Sequence, residues 1–255
     1  MFPPMLTRFH IALIVSGLFA AVTLALGLFI LLGAVIFALA IVIGLGVALP
    51  QMSFFGRYVC HGNKSRRCVA LTFDDGPDAR STPALLDLLR ENRIEAAFFC
   101  IGKKVAAEKE LTARIAHEGH LTANHTFNHS YATNFFTAAR LKDELTRTQT
   151  AIQQATGTAP EFFRPPVGLS NPRTFRAAGK LGLTVVGWTV RSLDTQIKSP
   201  ERIVARITRR LKPGAIILLH DGNIPAERLV MTVKLLLVKL KEAGYEVVRL
   251  DRMLK

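Results

Sequence analysis

The segment VALTFDDGPD, residues 69–78, contains the feature on which the fold prediction rests. Its first five residues are the apolar and β-favouring types that predict a short buried strand. The strand ends at two adjacent carboxylates, Asp74 and Asp75, followed by Gly-Pro. Two like charges side by side are costly to bury, and a cation between them relieves the repulsion. The segment therefore predicts a strand that delivers acidic side chains to a functional site.

A short β-rich run followed by a helical segment recurs along the chain. Strands are predicted at residues 69–73, 96–101, 120–124, 161–163, 184–189, 215–219 and 246–250. Alternation of strands and helices is typical of a parallel sheet with helices outside it. Seven such units predict an α/β fold that forms a barrel or partial barrel, with an open doubly wound sheet as the alternative.

A long apolar segment, residues 11–49, precedes these units and contains no charged side chain. As one straight helix it would be about 58 Å long, roughly twice the hydrocarbon thickness of a bilayer. We therefore predict a transmembrane helical hairpin with its turn between Gly27 and Gly33; one tilted span is the alternative. The run is too long for a cleaved signal peptide. The predicted domains are a membrane anchor at residues 1–50, a basic linker at 51–67 and a catalytic barrel at 68–255.

The net charge is +14, and basic residues flank both ends of the apolar segment. These residues are Arg8 on one side and Arg57, Lys64, Arg66 and Arg67 on the other. The positive-inside rule then predicts a protein integral to the cell membrane (the inner membrane in a Gram-negative cell) with its barrel in the cytoplasm. The basic surface suits membrane lipids or a phosphate-bearing substrate. Nucleic acid is not an expected partner, because no recognition module is present.

The cysteines do not decide the compartment. Cys60 and Cys68 are separated by a polar loop, where a disulfide and two free thiols fit equally well. Cys100 lies in an apolar strand-like run and is predicted to be a small core residue.

Polar side chains with catalytic chemistry follow the predicted strands at their C-terminal ends. They are Asp74, Asp75, His125, His129, Arg164, Trp188, Arg191, Asp194, His220 and Asp221. In a (β/α) barrel these strand ends meet on one face, where the active site lies. Each short motif is weak alone, and the shared position at strand ends is what predicts a site.

One aspartate with two histidines would make a three-ligand metal site. His125 and His129 are spaced i, i+4, which would place both rings on one face if the segment were helical. Three protein ligands leave an open position for water, which is the layout of a catalytic zinc. The other aspartate could take the proton of the water, and a histidine opposite could protonate the leaving group.

Five motifs, in chain order, resemble those of the NodB-homology polysaccharide deacetylases, carbohydrate esterase family 4. They are TFDDGPD (72–78), HTFNH (125–129), RPPVG (164–168), WTVRSLDT (188–195) and LLHDG (218–222). The resemblance covers residues 69–250 and implies a distorted (β/α) barrel of about seven strands that hydrolyses the N-acyl group of an amino sugar.

The resemblance also implies roles for single residues. Asp74 would be the general base, Arg164 its partner, and His220 the general acid. The metal and a backbone N–H near Val167 would stabilise the oxyanion, and Leu218 would line the acetyl pocket. Trp188 would belong to the substrate site. One divalent metal, zinc or else Co²⁺, Ni²⁺ or Mn²⁺, would be bound by Asp75, His125 and His129.

The chain departs from the family pattern in the third and fourth motifs. Val167 stands where an aromatic residue is usual, and Thr195 replaces a tryptophan. Arg191 stands where an acid would tune the catalytic histidine, and it would lower the pKa of that histidine unless Asp194 or Asp221 offsets it.

The sequence therefore predicts a membrane-anchored, metal-dependent N-deacetylase acting on an envelope glycan or a lipid-linked amino sugar precursor. One alternative is an inactive, membrane-tethered protein that binds carbohydrate or lipid headgroups. Another is an O-acetyl esterase or a deformylase that uses the same site. The sequence makes no prediction of oligomeric state.

Overall fold

Two apolar helices, α1 (Arg8–Ala25) and α2 (Phe29–Ala48), precede the barrel in this computed structural model, which describes residues 7–255. They pack against each other as a hairpin, with Gly27 at the turn in the left-handed conformation that favours glycine, φ 68°. The two helices form the predicted hairpin and turn at Gly27, the first residue of the predicted range; that the hairpin spans a membrane stays a prediction. Both helices are long and apolar enough to cross a membrane.

A parallel sheet forms the centre of the remaining chain, and within residues 7–255 it has eight strands. In chain order they are β1 (Cys68–Asp74), β2 (Ala97–Cys100), β3 (Leu121–Asn124), β4 (Phe162–Phe163), β5 (Thr184–Val185), β6 (Val190–Arg191), β7 (Ala215–His220) and β8 (Glu246–Val247). The spatial order is β5-β4-β3-β2-β1-β7-β6, and β8 pairs with the start of β1. The predicted distorted (β/α) barrel is confirmed, in the form of a partial barrel.

Helices surround the sheet and connect its strands. They are α3 (Thr82–Glu91), α4 (Gly102–Ala107), α5 (Lys109–His117), α6 (Ala138–Thr156), α7 (Pro172–Lys180), α8 (Pro200–Thr208), α9 (Ala226–Glu242) and α10 (Leu250–Met253). The strand predicted at residues 246–250 is shorter than expected, because Leu250 begins α10 instead of continuing β8.

The strand predicted at residues 184–189 is wrong, since this stretch contributes to both edges of the sheet. Its start is β5, and Val186 still bonds to the carbonyl of Phe163 beside it. The chain then crosses the gap between the two edges, and the N–H of Thr189 bonds to the carbonyl of Ile216 on the other side. One segment therefore bridges the open side of the barrel, which explains eight strands instead of about seven.

Residues in the segment predicted as a linker also cover this open side. Val59 forms a parallel bridge with Val186, and His61 forms an antiparallel bridge with Ala215. Tyr58 and Cys60 are buried beside them. The boundary between linker and catalytic domain stays a prediction, but part of residues 51–67 packs against the sheet.

The core lies between the sheet and the outer helices. Every residue of β1 is buried, and the ring of Phe73 stacks on that of Phe98 with centroids 5.2 Å apart. Each fully buried large apolar side chain of this kind contributes about 1.5–3 kcal/mol. The three cysteines, Cys60, Cys68 and Cys100, are buried free thiols. This packing holds β1 rigidly, so the carboxylates at its end have fixed positions.

Candidate active site

Asp74 is the last residue of β1, and a buried arginine balances its charge. Arg164 Nη1 lies 2.6 Å from Asp74 Oδ1, and both side chains are shielded from solvent. The same Nη1 donates to Thr72 Oγ1 at 2.9 Å, while Nη2 donates to the carbonyl of Gly187 at 2.8 Å. The guanidinium also lies over the ring of Phe99, 4.0 Å from its centroid. Asp74 is thereby held in one orientation.

Asp75, His125 and His129 come together as predicted, with their ligand atoms all within 4.8 Å of one another. Asp75 Oδ1 lies 3.4 Å from His125 Nε2 and 3.1 Å from His129 Nε2. The two ring centroids are 4.7 Å apart. One carboxylate oxygen and two imidazole nitrogens facing one point are the donor set that divalent transition metals prefer.

Two further observations fit a metal at this point. His125 Nδ1 lies 2.7 Å from the carbonyl of Arg164, so Nδ1–H donates there and the lone pair of Nε2 faces the cluster. Asp75 Oδ1 is buried and has no hydrogen-bond partner, which is costly unless a cation binds it. The residues present therefore fit a divalent ion.

The pKa shifts within the cluster also favour a bound cation. Burial alone would raise the pKa of Asp75, but the neighbouring imidazoles of His125, His129 and His220 hold that pKa well below its usual range. Burial would lower the pKa of His125, but the charges of Asp74 and Asp75 outweigh it and raise that pKa. Burial, with His125 as the second cause, lowers the pKa of His129 to about 4. The site favours one positive charge at its centre, which a metal supplies in place of a proton.

The loop that carries His125 and His129 is not helical, so their i, i+4 spacing does not place the two rings on one helical face. Thr126 and His129 have positive φ angles of 64° and 50°, and Asp75 has 71°. Positive φ at such residues costs about 1–2 kcal/mol each. These bends, instead of a helical face, bring the rings together, and strain of this kind clusters at functional sites.

Glu144 of α6 holds this loop from behind. Its Oε2 accepts the backbone N–H groups of Phe127 and Asn128 at 2.9 and 2.8 Å, and its Oε1 accepts from Asn128 Nδ2 at 2.6 Å. Glu144 is itself buried. Three donors on one buried carboxylate fix the backbone between His125 and His129, and so fix the spacing of the two imidazoles.

His220 ends β7, directly beside Asp74 in the register of the sheet. Asp194 Oδ1 lies 2.8 Å from His220 Nδ1, and Asp194 Oδ2 accepts the backbone N–H of His220 at 2.8 Å. Burial alone would lower the pKa of His220, but the hydrogen bond and charge of Asp194, together with the charges of Asp74 and Asp75, outweigh burial and raise the pKa to about 9. His220 is therefore protonated at neutral pH and suited to donate a proton.

Of the three residues predicted to tune this histidine, Asp194 is the one that contacts it. Arg191 is exposed and extends toward the face of Trp188, 5.9 Å from the ring centroid. Asp221 is fully buried and accepts a hydrogen bond from Thr82 Oγ1 at 2.6 Å. Burial raises the pKa of Asp221 to about 7. Its carboxylate packs against Gly76, where a Cβ atom would clash with it, so Asp221 supports the Asp74–Asp75 turn instead of His220.

The predicted substrate residues lie around the same opening. Leu218 is two residues before His220 on β7, so the two side chains share one face of the sheet. Val167 is half-exposed in the 3-10 turn Pro166–Gly168 and has a φ of 59°. Gly168 touches the ring of buried Trp188 so closely that a Cβ atom would not fit.

Sequence reasoning did not identify three supporting residues: Thr72, Ser192 and Glu144. Thr72 lies two positions before Asp74 and shares its face of the strand, a signal that was available in the sequence. Ser192 Oγ donates to Asp194 Oδ1 at 2.8 Å from two positions away, within the fourth motif. Glu144 lies on a distant helix, and no local pattern distinguishes it from a solvated glutamate.

Comparison with known proteins identifies a family and relatives that are similar to this chain. The family Polysaccharide deacetylase matches residues 61–186. A peptidoglycan-N-acetylglucosamine deacetylase of Bacillus cereus is 35% identical over 193 residues, covering 75% of this chain and 90% of the relative. A chitooligosaccharide deacetylase of Bradyrhizobium sp. is 36% identical over 193 residues, covering 71% of this chain and 88% of the relative.

Solved structures agree on the fold. A carbohydrate esterase family 4 pseudoenzyme from Bacillus anthracis has a TM-score of 0.73 at 25% identity, covering 78% of this chain and 69% of that chain. A mutant of the same protein with restored enzymatic activity is also similar, at 26% identity. The fold is therefore shared by active and inactive proteins, and the residues of the site decide between the two.

Proposed function

The chain belongs to the polysaccharide deacetylase family, carbohydrate esterase family 4 with NodB homology, and on that premise we propose its reaction in detail. It hydrolyses the N-acetyl group, or another N-acyl group, of an amino sugar in a metal-dependent reaction at the membrane. The observation that carries the proposal is the placement of Asp74, paired with Arg164, and a protonated His220 beside the Asp75–His125–His129 cluster.

The cluster would hold one divalent ion, with zinc as the first choice and Co²⁺, Ni²⁺ or Mn²⁺ as alternatives. Aspartate and histidine ligands suit all four ions. When bound, the ion supplies a Lewis acid and lowers the pKa of water. The ligands come from two loops whose backbone is already bent into place, so binding requires little rearrangement.

The side chains of the chain itself account for the proton transfers. Asp74 takes a proton from the attacking water while Arg164 keeps the carboxylate fixed in position. As the new C–O bond forms and the C–N bond breaks, His220 donates its proton to the departing amine. Asp194 keeps His220 protonated and oriented until that step. The products are a free amino sugar and acetate, or the corresponding carboxylate.

Val167 and Leu218 complete the site in this proposal. The backbone N–H of Val167 donates to the developing oxyanion, and Leu218 lines the pocket for the acyl methyl group. Trp188 forms the wall beside them, where it packs on Gly168.

Helices α1 and α2 anchor the protein in the cell membrane, the inner membrane in a Gram-negative cell. The excess of lysine and arginine on both flanks favours a cytoplasmic barrel. On that side the substrate would be a lipid-linked amino sugar; on the other side it would be an envelope glycan. Fusion of alkaline phosphatase to Lys255 separates the two, since an active fusion would place the barrel outside the cytoplasm.

The test of the reaction is product release from a panel of acylated sugars by the full chain. N-acetyl, N-formyl and O-acetyl sugars are compared, and we expect turnover of the N-acetyl compound. The variant Asp75→Ala should remove this activity, because it removes a proposed ligand. Activity that survives Asp75→Ala would overturn the metal-dependent reaction.

A second candidate is a membrane-tethered protein that binds carbohydrate or lipid headgroups without turnover. The similarity to a pseudoenzyme is the observation that favours it. Against it, a binding protein has no use for Asp74, Arg164, Asp194 and His220 in these hydrogen-bonded pairs. Saturable binding of chitooligosaccharides without acid release, under zinc, cobalt and nickel alike, would support it.

A further inference from the structure

An apolar surface lies beside the mouth of the active site. Between residues 50 and 255, all of which the structure describes, the exposed large apolar side chains are Tyr131, Phe135, Val167, Met231 and Val238. Tyr131 and Phe135 lie on the 3-10 turn that follows the second motif, and Val167 lies on the 3-10 turn within the third motif; we call these three residues the apolar rim. Tyr131 and Phe135 are each 82% exposed. Clustered exposed apolar side chains mark interaction surfaces, whereas single ones are ordinary.

The rim is one continuous structure. The turns Tyr131–Phe135 and Pro166–Gly168 pack against each other. Asn171 Nδ2 donates to the carbonyl of Asn134 at 2.6 Å and to its Oδ1 at 2.9 Å. The ring of Tyr131 lies edge-on to the ring of His129, with centroids 6.3 Å apart. The rim therefore borders the proposed metal site directly.

The hairpin is attached to this same side of the barrel. The backbone N–H of Ser170 bonds to the carbonyl of Val47, in the last turn of α2, at 3.4 Å. Gln51 Nε2 donates to the carbonyl of Trp188 at 3.0 Å. Val167 is three residues from Ser170, so the two Cα atoms lie within about 11 Å. The end of α2 that would emerge from a bilayer thus meets the segment that carries the rim.

The start of α1 is attached beside it. The N–H of Phe9 bonds to the carbonyl of Phe54 at 3.0 Å, and Arg8 Nη1 donates to the carbonyl of Met52 at 2.7 Å. The start of α1 is therefore fixed to the segment after α2, which itself contacts the barrel through Gln51, so both ends of the hairpin lie at one side of the barrel. A membrane that contains α1 and α2 must have its surface at this level.

The charges around the rim suit an anionic surface. Residues 126–142 and 162–193 contain no aspartate or glutamate. Arg140 and Arg173 are exposed beside the rim: Arg140 stacks on Phe136 at 3.7 Å, and Arg173 donates to the carbonyl of Asn134 at 3.4 Å. Aromatic side chains surrounded by arginines are typical of segments that lie in the interfacial layer of a bilayer.

We propose that the apolar rim rests in the interfacial layer of an anionic membrane, so that the active site opens onto the lipid surface and takes an N-acylated amino sugar carried on a lipid. The inference rests on the proposed function for its chemistry and on membrane insertion of the hairpin, and it adds the lipid surface as the partner of the rim. The tether and the rim together hold the site at the height of a membrane-borne sugar, which raises its effective concentration.

The position of the rim is tested with single-site labels on the full chain in vesicles of phosphatidylglycerol and phosphatidylcholine. Phe135→Cys carries an environment-sensitive fluorophore; the native cysteines are buried, so labelling is directed to the new thiol. Met231→Cys on α9 is the matched control, because Met231 is also an exposed apolar residue, at 48%. Brominated lipids should quench the label at position 135 and leave the label at 231 bright. Equal access of iodide in the water to both labels would overturn the proposal.

Activity measurements distinguish a rim that binds the lipid surface from a rim that stacks on sugar rings. The probes are free tetra-N-acetylchitotetraose and an N-acetylglucosamine phosphate carried on a hexadecyl chain in the same vesicles. Phe135→Ser should lower kcat/KM about tenfold on the vesicle-borne probe and leave it unchanged on the free oligosaccharide. Met231→Ser should change neither value.

An equal loss on both probes with Phe135→Ser would show that the rim stacks sugar rings, and it would overturn the proposal. If the wild-type chain releases acetate from neither probe, the proposed function fails, while the quenching experiment still decides where the rim lies.

Discussion

Asp194 contacts both the imidazole ring and the backbone N–H of His220. One carboxylate oxygen lies 2.8 Å from the imidazole Nδ1, and the other accepts the backbone N–H at 2.8 Å. The imidazole of His220 therefore cannot rotate without breaking its hydrogen bond to Asp194, and its Nε2 remains directed away from Asp194. Because the pair is shielded from water, the carboxylate also stabilises the imidazolium form.

This pair predicts a specific pH dependence. The pKa of His220 is raised to about 9, so the proton it donates is present below that pH and lost as the pH rises through it. Asp194→Asn removes the negative charge, and the alkaline limb of kcat should move by more than about one pH unit toward the ordinary histidine value near 6.5. Exposed Asp143→Asn is the control and should leave the limb in place. An unmoved limb in Asp194→Asn would show that His220 is not the proton donor.

Metal content separates the two adjacent aspartates. Asp74 bonds to Arg164, whereas Asp75 faces the histidines, so Asp74→Asn should retain the metal and Asp75→Asn should lose it. Elemental analysis of the purified chains measures ions per chain. Loss of metal from Asp74→Asn together with retention in Asp75→Asn would reverse the two roles.

Arg164 is predicted to be essential for stability as well as activity. Arg164→Met leaves the buried Asp74 carboxylate without its partner, which should cost about 3–5 kcal/mol of unfolding free energy. Urea unfolding followed by the fluorescence of Trp188, the single tryptophan, measures this cost. Exposed Arg66→Met, which breaks the surface pair with Glu246, should cost no more than about 1 kcal/mol.

A double variant tests the reason for that loss. If the unpaired charge of Asp74 is responsible, Asp74→Asn combined with Arg164→Met should be more stable than Arg164→Met alone. Additive losses would assign the effect to the other contacts of Arg164, with Thr72, Phe99 and Gly187.

Glu144 is predicted to support metal binding without touching the metal. Glu144→Gln removes the charge that three N–H groups share, so the His125–His129 loop should loosen and metal affinity should fall about 10–100-fold. Competition with a chelator measures the affinity. Exposed Glu242→Gln is the matched control. Unchanged affinity in Glu144→Gln would mean that the loop keeps its shape without this carboxylate.

The sequence could predict the positions of the site residues that lie at the ends of strands. Asp74 and His220 end buried strands that pair in register, and the ends of parallel strands meet on one face whatever the outer helices do. The structure brings the ligand atoms of Asp75, His125 and His129 within 4.8 Å of one another at those ends, and the roles of these residues stay predictions. The sequence does not decide whether Asp194 or Asp221 offsets Arg191 at His220, because it does not show which side chain points inward.

Features that depend on loop geometry could not be predicted. The spacing of His125 and His129 is compatible with a helix, yet positive φ angles at Thr126 and His129 make a tight loop instead. The break of residues 184–189 into two strands depends on pairing with Phe163 on one edge and Ile216 on the other. Both outcomes are set by tertiary contacts, which override local β-propensity.

Acetate release by the full chain from tetra-N-acetylchitotetraose, measured with and without the metal, decides whether the protein is a metal-dependent N-deacetylase. We predict that treatment with a chelator abolishes release, that one equivalent of zinc per chain restores it, and that metal-loaded Asp74→Asn stays about 10²–10⁴-fold slower than the wild type. Acetate release that continues in the metal-free chain, or at full rate in Asp74→Asn, would contradict the account.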